Sequence, residues 1–180
     1  LDGVTGVQTC ALPIFSGVTR INGGTVQIDE ASRLGDGNLE MRGGTLFTTA
    51  NMVLSNRTVT LGGDGGTFQV AAGTTNWVGD IISESNLLAS SRLNNAHGDL
   101  VKTGEGTLHL TGSTINNGVT DARLSYQGLT DIREGTVRIL ATNNFALGSS
   151  HSFYDGTIVR SGATLALGNN GVFGGGTGTL

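Results

Sequence analysis

One element recurs along this chain: Gly, then Thr, then apolar residues at alternate positions. It reads Gly24-Thr25-Val26-Gln27-Ile28, Gly44-Thr45-Leu46-Phe47 and Gly66-Thr67-Phe68-Gln69-Val70 in the first half. It returns as Gly106-Thr107-Leu108-His109-Leu110, Gly135-Thr136-Val137-Arg138-Ile139, Gly156-Thr157-Ile158-Val159 and Gly178-Thr179-Leu180. From Thr to Thr the steps are 20, 22, 40, 29, 21 and 22 residues, the 40 being read as two steps. A fixed period of this size marks a solenoid of stacked structural units. In a strand, residues two apart share a face, so Val26 and Ile28 turn one way and Gln27 the other. A strand this short buries little alone. Stacking copies about 4.8 Å apart builds a continuous apolar column and pairs the backbone groups.

The chain is therefore expected to be all-β, a right-handed parallel β-helix with about 20–22 residues per rung. A β-sandwich or propeller is the alternative. Composition agrees: 31 glycines, 13% charged residues, 5% aromatics and a single lysine, Lys102, suit short strands and tight turns. Two longer segments resemble each other, Val18 to Ile28 and Leu129 to Ile139. Each reads as strand, Gly-containing turn, strand, which fits either a hairpin or two successive sides of one coil. Asn pairs at 94–95, 116–117, 143–144 and 169–170 read as turns. The stretch from about 83 to 97 lacks alternation and is expected to form an irregular loop.

The first fifteen residues stand apart. Val4 to Ile14 resembles a translated sequencing-library adapter, so residues 1–15 are set aside as an artefact. Cys10 and Pro13, the one cysteine and one proline, fall there. Residues 16–180 thus carry no disulfide and no thiolate zinc site. The chain has no initiator Met and stops at a strand-like Gly178-Thr179-Leu180. It is expected to be a fragment of a longer protein.

A family resemblance follows from Gly98-Asp99-Leu100-Val101-Lys102-Thr103-Gly104-Glu105-Gly106-Thr107-Leu108-His109-Leu110-Thr111-Gly112. This run resembles the hallmark of autotransporter-associated β-strand repeats, the passenger-associated repeats. Gly135 to Ile139 is similar to their second Gly-Thr-Leu strand, and Asn76-Trp77-Val78-Gly79-Asp80-Ile81 to the segment that precedes the hallmark. The segments 82–97 and 113–128 are longer than the family pattern, and Tyr126 is the remaining trace of its aromatic. The resemblance implies a β-helical stalk, structural or adhesive, displayed on the surface of a Gram-negative cell. It implies an outer-membrane anchor through the protein's own C-terminal barrel, outside this fragment. Its implied partners are a host-cell or matrix ligand, or further copies of itself.

Other chemistries find thin support. A net charge of −4 without a basic block excludes nucleic acid as a natural partner. No run of about 18 apolar residues could cross a membrane as a helix. Asp29, Glu30, Asp36, Asp64, Asp80, Glu84, Asp99, Asp121, Asp131 and Glu134 are scattered and read as solvated turn acids. A polysaccharide-cleaving β-helix enzyme, the main alternative function, requires acids gathered on one lateral face. A passive translocation or spacer repeat is the other. His97, His109 and His151 lack ligand spacing, and Gly62-Gly63-Asp64-Gly65-Gly66 is a single match to calcium-binding repeats. Gly174 to Gly178 has no Lys for a phosphate loop, and the Thr rows lack the doubled Thr of an ice-binding face. Trp77 reads as a core or loop-packed aromatic before it reads as a sugar platform. No catalytic, cofactor-binding or metal-ligating set is assigned, so cofactors are expected to be none and the chain is not expected to be an enzyme.

The alternation makes an immediate prediction. Leu108→Asp places a charge in the apolar column and should disrupt several rungs, whereas His109→Asp should perturb unfolding much less. Thermal melts of the two variants check this; equal losses refute the in/out assignment.

Overall fold

The computed structural model describes residues 16–84, 98–111, 124–126, 128–140 and 156–167. The chain winds as successive coils. The first holds β1 (Thr19–Ile21), β2 (Thr25–Ile28) and a 3-10 turn over Ala31–Leu34. The second holds β3 (Leu39–Met41), β4 (Gly44–Thr48) and β5 (Met52–Leu54). The third holds β6 (Val59–Leu61), β7 (Gly66–Val70) and β8 (Thr75–Val78). The fourth holds β9 (Ile81–Ser83), β10 (Leu100–Thr103) and β11 (Thr107–Leu110). β12 (Leu124–Ser125), β13 (Thr130–Ile132) and β14 (Thr136–Ile139) follow, then β15 (Thr157–Val159) and β16 (Thr164–Leu167).

Each side of the coil forms its own parallel sheet. The first sheet runs β1-β3-β6-β9-β12, the second β2-β4-β7-β10-β13-β15, and the third β5-β8-β11-β14-β16. This is a parallel β-helix. In the first coil the 3-10 turn stands where the third sheet's strand would be, and its Leu34 plugs that end of the core.

The core follows from register. Val26, Leu46, Phe68, Lys102 and Ile132 lie opposite one another through the second sheet. Leu54, Val78, Leu110 and Ile139 do the same in the third, and Leu39, Val59 and Ile81 in the first. Leu39, Leu46, Leu54, Val59, Phe68, Val78, Ile81, Leu108, Leu110, Ile132, Val137 and Ile139 have no solvent exposure. Burying one such side chain contributes roughly 1.5–3 kcal/mol, and the stack repeats that gain at every coil.

The corners need glycine where neighbouring coils touch. Gly104 sits at φ 72°, and a Cβ there would lie 2.4 Å from the Val70 carbonyl oxygen below it. Gly135, one coil on, sits at φ 65° with the Gly106 oxygen at 2.4 Å. Both positions thus exclude a side chain twice over, by conformation and by space.

The structure refines the sequence expectations. Coils from β1 to β9 take 20–22 residues, as Thr19↔Leu39, Leu39↔Val59 and Val59↔Ile81 show. Later coils are longer, with Thr67 opposite Val101 and Thr107 opposite Thr136. The Gly-Thr motif does not keep to one side. Thr25, Thr45 and Thr67 share the second sheet, Thr107 and Thr136 the third, and Thr157 is back on the second. The 40-residue step is therefore one coil plus one side, not two coils. The two similar segments are successive sides rather than hairpins, turning from first sheet to second at Val18–Ile28 and from second to third at Leu129–Ile139. Ser83, expected to open an irregular loop, instead ends β9, and Glu84 pairs with Arg42. Residues 1–15, 85–97, the four Asn pairs and Gly174–Leu180 lie outside the described residues.

Lys102 is the unexpected core member, with no solvent exposure in an otherwise apolar column. Its Nζ donates to the carbonyls of Thr103 at 2.8 Å, Gly104 at 2.6 Å and Glu134 at 3.2 Å. The last belongs to the next coil, and Glu134 Oε2 in turn accepts from the Gly104 N–H at 2.8 Å. The pair staples two adjacent corners. Burial pushes the Lys102 amine down to about 8, against the pull of Glu134. The unfolded chain then holds a proton that the fold has released between about pH 8 and the ordinary lysine value, so this group makes stability rise with pH across that window. Lys102→Met should flatten that rise and, by orphaning corner carbonyls, cost about 1–3 kcal/mol at neutral pH. Urea unfolding at about pH 7 and about pH 10 measures both; parallel pH profiles for the two proteins refute the assignment.

Candidate functional site: the outward face of the third sheet

The three outward faces differ in chemistry. On the first sheet Arg20 Nε meets Glu40 Oε2 at 2.7 Å, and Arg42 Nη2 meets Glu84 at 2.6 Å and Glu40 at 3.7 Å. Arg20–Glu40 joins neighbouring coils and Arg42–Glu84 spans two, while Arg42–Glu40 lies within one coil. The hydrogen bond from Arg20 holds the Glu40 carboxyl below its usual range. A carboxylate so paired stays ionised at neutral pH and is poorly placed to donate a proton as a general acid.

The second sheet presents Thr25, Thr45 and Thr67 in one row and Gln27, Phe47 and Gln69 in the next. Beyond them Asp131 corrects the expectation of solvated turn acids. It lies in β13 and is 1% exposed, covered by two half-exposed arginines. Arg133 Nε donates to it at 2.9 Å, Arg160 Nε at 2.8 Å and Arg160 Nη2 at 3.2 Å. The Arg160 hydrogen bond leads in lowering its carboxyl. Asp80, just after β8, is buried as well. Asp64, from the calcium-like glycine run, sits exposed in the corner between β6 and β7.

The third sheet carries Val53, Trp77, His109, Arg138 and Ala166 in one outward row and Thr75, Thr107, Thr136 and Thr164 in another. Trp77 is not in the core. It stands outward and partly exposed, its ring perpendicular to that of His109 with centroids 5.3 Å apart. Val53 beside it is 57% exposed. His109 faces outward as the alternation requires, yet its flank is covered by the tryptophan. Its Nδ1 is buried and has no hydrogen-bond partner among the described residues. Burial first, and Arg138 second, hold its pKa below the ordinary histidine value, so the ring is neutral at pH 7.

Arg138 completes the row. It is exposed, and among the described residues it alone of the arginines carries no recorded partner. Arg20, Arg33, Arg42, Arg133 and Arg160 are ion-paired, while Arg57 is buried and donates to the Gly35 and Gly37 carbonyls. No aspartate or glutamate occurs within any strand of this sheet. The acids nearest in sequence are Asp80, buried just after β8, and Glu105 and Glu134, at the corner leading into the sheet.

Among the described residues no three His, Cys, Asp or Glu side chains gather as a metal site. His97, His151 and Asp121 lie outside those residues. Strand parity alone marks two further residues. Lys102 lies two residues after inward Leu100 and so must point inward. Arg138 lies opposite His109 once the Gly-Thr strands are aligned.

The family model described as the passenger-associated-transport-repeat matches residues 12–28 and 100–139, the second span running from β10 through β14. A curated relative, the adhesin BmaC autotransporter of Brucella suis biovar 1 (strain 1330), is 34% identical over 127 residues. That alignment covers 69% of this chain and 3% of the relative, so the chain spans a small part of that protein's length. No solved structure matches. With its Gly-Thr strands stacked in parallel and the hallmark seated on β10 and β11, the chain belongs to the family of autotransporter passenger-associated repeats.

Proposed function

We propose that this chain is a stalk segment of a surface-displayed autotransporter passenger and that it takes part in adhesion. One observation carries this: the coils stack with a single continuous core and in-register strands, so length is added coil by coil while outward residues vary freely. Such a body holds a binding face away from the membrane. The adhesin name of the BmaC relative supports the adhesive part. Anchoring by a C-terminal outer-membrane barrel and contact with a host-cell or matrix ligand belong to the whole protein and are part of this proposal.

A spacer without a ligand differs from this in one respect, and an enzyme in another. The ion-paired acids of the first sheet and the clamped Asp131 favour structural roles for the described carboxylates over catalytic ones. The test is an in-frame deletion of this segment from the natural protein in its own host. Cells should still display the rest of the passenger, seen by antibody on intact cells, and should bind host-cell monolayers less. Unchanged adhesion with unchanged display assigns a passive spacer. Release of new reducing ends from polysaccharide by the intact segment overturns the non-enzymatic part.

A further inference from the structure

We infer that the outward face of the third sheet is a binding platform for an acidic polysaccharide, the negatively charged sugar chain lying along the stack across Trp77, His109 and Arg138. This rests on the adhesive part of the proposed function and names its ligand class.

Charge selects the ligand's sign. Arg138 is exposed without a partner among the described residues, and no acid occupies the sheet's strands. A guanidinium left free in this way offers a fork of donors suited to a carboxylate. Three acids flank the face: Asp80, next to β8, is buried, Glu105 and Glu134 lie at the corner beyond the Thr row, and the Glu134 carboxylate is tied to the Gly104 N–H. Arg133 and Arg160, on the second sheet, are committed to Asp131.

Shape selects a sugar over a peptide. The face is a row of side chains on a sheet, whereas an extended peptide is best captured at an open strand edge. Here β8, β11 and β14 are each paired on both sides. Trp77 supplies an apolar ring surface of the kind on which the C–H face of a pyranose packs, and Val53 extends that surface by one coil. Thr75, Thr107, Thr136 and Thr164 run alongside as a row of hydroxyls. Successive positions are about 4.8 Å apart, close to the length of one sugar residue, so Trp77 and Arg138 are about 10 Å apart along the axis. A sugar stacked on the tryptophan therefore places the second sugar along, one disaccharide repeat away, over the arginine, where an acidic residue can pair with it.

The probe is hyaluronan, a carboxylated polysaccharide, immobilised beside neutral dextran and polyglutamate, with the 180-residue chain in solution. The chain should bind hyaluronan and weaken as salt rises, while dextran and polyglutamate bind far less. Arg138→Gln and Trp77→Thr should each weaken hyaluronan binding by about tenfold or more, with Arg42→Gln, on the first sheet, as the unchanged control. Thermal melts confirm that the variants keep the fold. Dextran binding as tight as hyaluronan, polyglutamate binding equally well, or equal losses for Arg138→Gln and Arg42→Gln each overturn the assignment. No binding to hyaluronan overturns it too, and leaves the adhesive role to the deletion experiment, which does not depend on the ligand's identity.

Discussion

The in-register parallel ladder between coils is the constraint on which the rest depends. Every described pairing between strands is parallel, and the ladder continues through the turns, as in Arg42 N–H to the Ile21 carbonyl and Thr111 N–H to the Val78 carbonyl. A slip of one residue would carry Leu108 and Leu110 outward and bring His109 into the core. The register also fixes the buried polar groups. Asn76 interrupts the inward column between Met52 and Leu108, and its amide nitrogen donates to the Thr48 hydroxyl of the neighbouring coil. Tyr126 is fully buried and shares a hydrogen bond with the Thr130 hydroxyl; burial pushes its phenol well above the usual range.

With the ladder fixed, the outward positions are free to differ. The first sheet ties coils together by ion pairs and the second clamps one carboxylate between two arginines. The third leaves its aromatic ring and its cation facing solvent. The exposed pairs of the first sheet contribute little stability each, so their placement is not dictated by folding, whereas the buried Asp131 carboxylate needs its arginines.

The sequence was most legible where its information is local. Alternation in Thr25–Ile28, Thr107–Leu110 and Thr136–Ile139 specifies which residues face inward, and the structure follows it. What is not local was not legible. The same Gly-Thr turn serves two different corners, because a left-handed glycine followed by a strand is equally good at either; only the length of the intervening chain decides which. Asp131 looks like a turn acid until Arg160, from the next coil, is laid across it. Lys102 is tolerable in the core because three carbonyls accept from its amine, one of them brought by Glu134 from 32 residues away. The platform of Trp77, His109 and Arg138 is assembled from three coils, and no window of contiguous sequence contains it.

The direction of the ladder also has a mechanical meaning. Its hydrogen bonds run along the stacking axis, so a pull on the two ends loads the coil interfaces in series, and a coil at the end of a stack, held on one side only, peels first. One of the shorter coils, about 4.8 Å thick when stacked, pays out roughly 70 Å of chain when drawn straight. A tether built this way lengthens in steps under shear, dissipating load coil by coil while the remaining stack, and whatever it presents, keeps its shape.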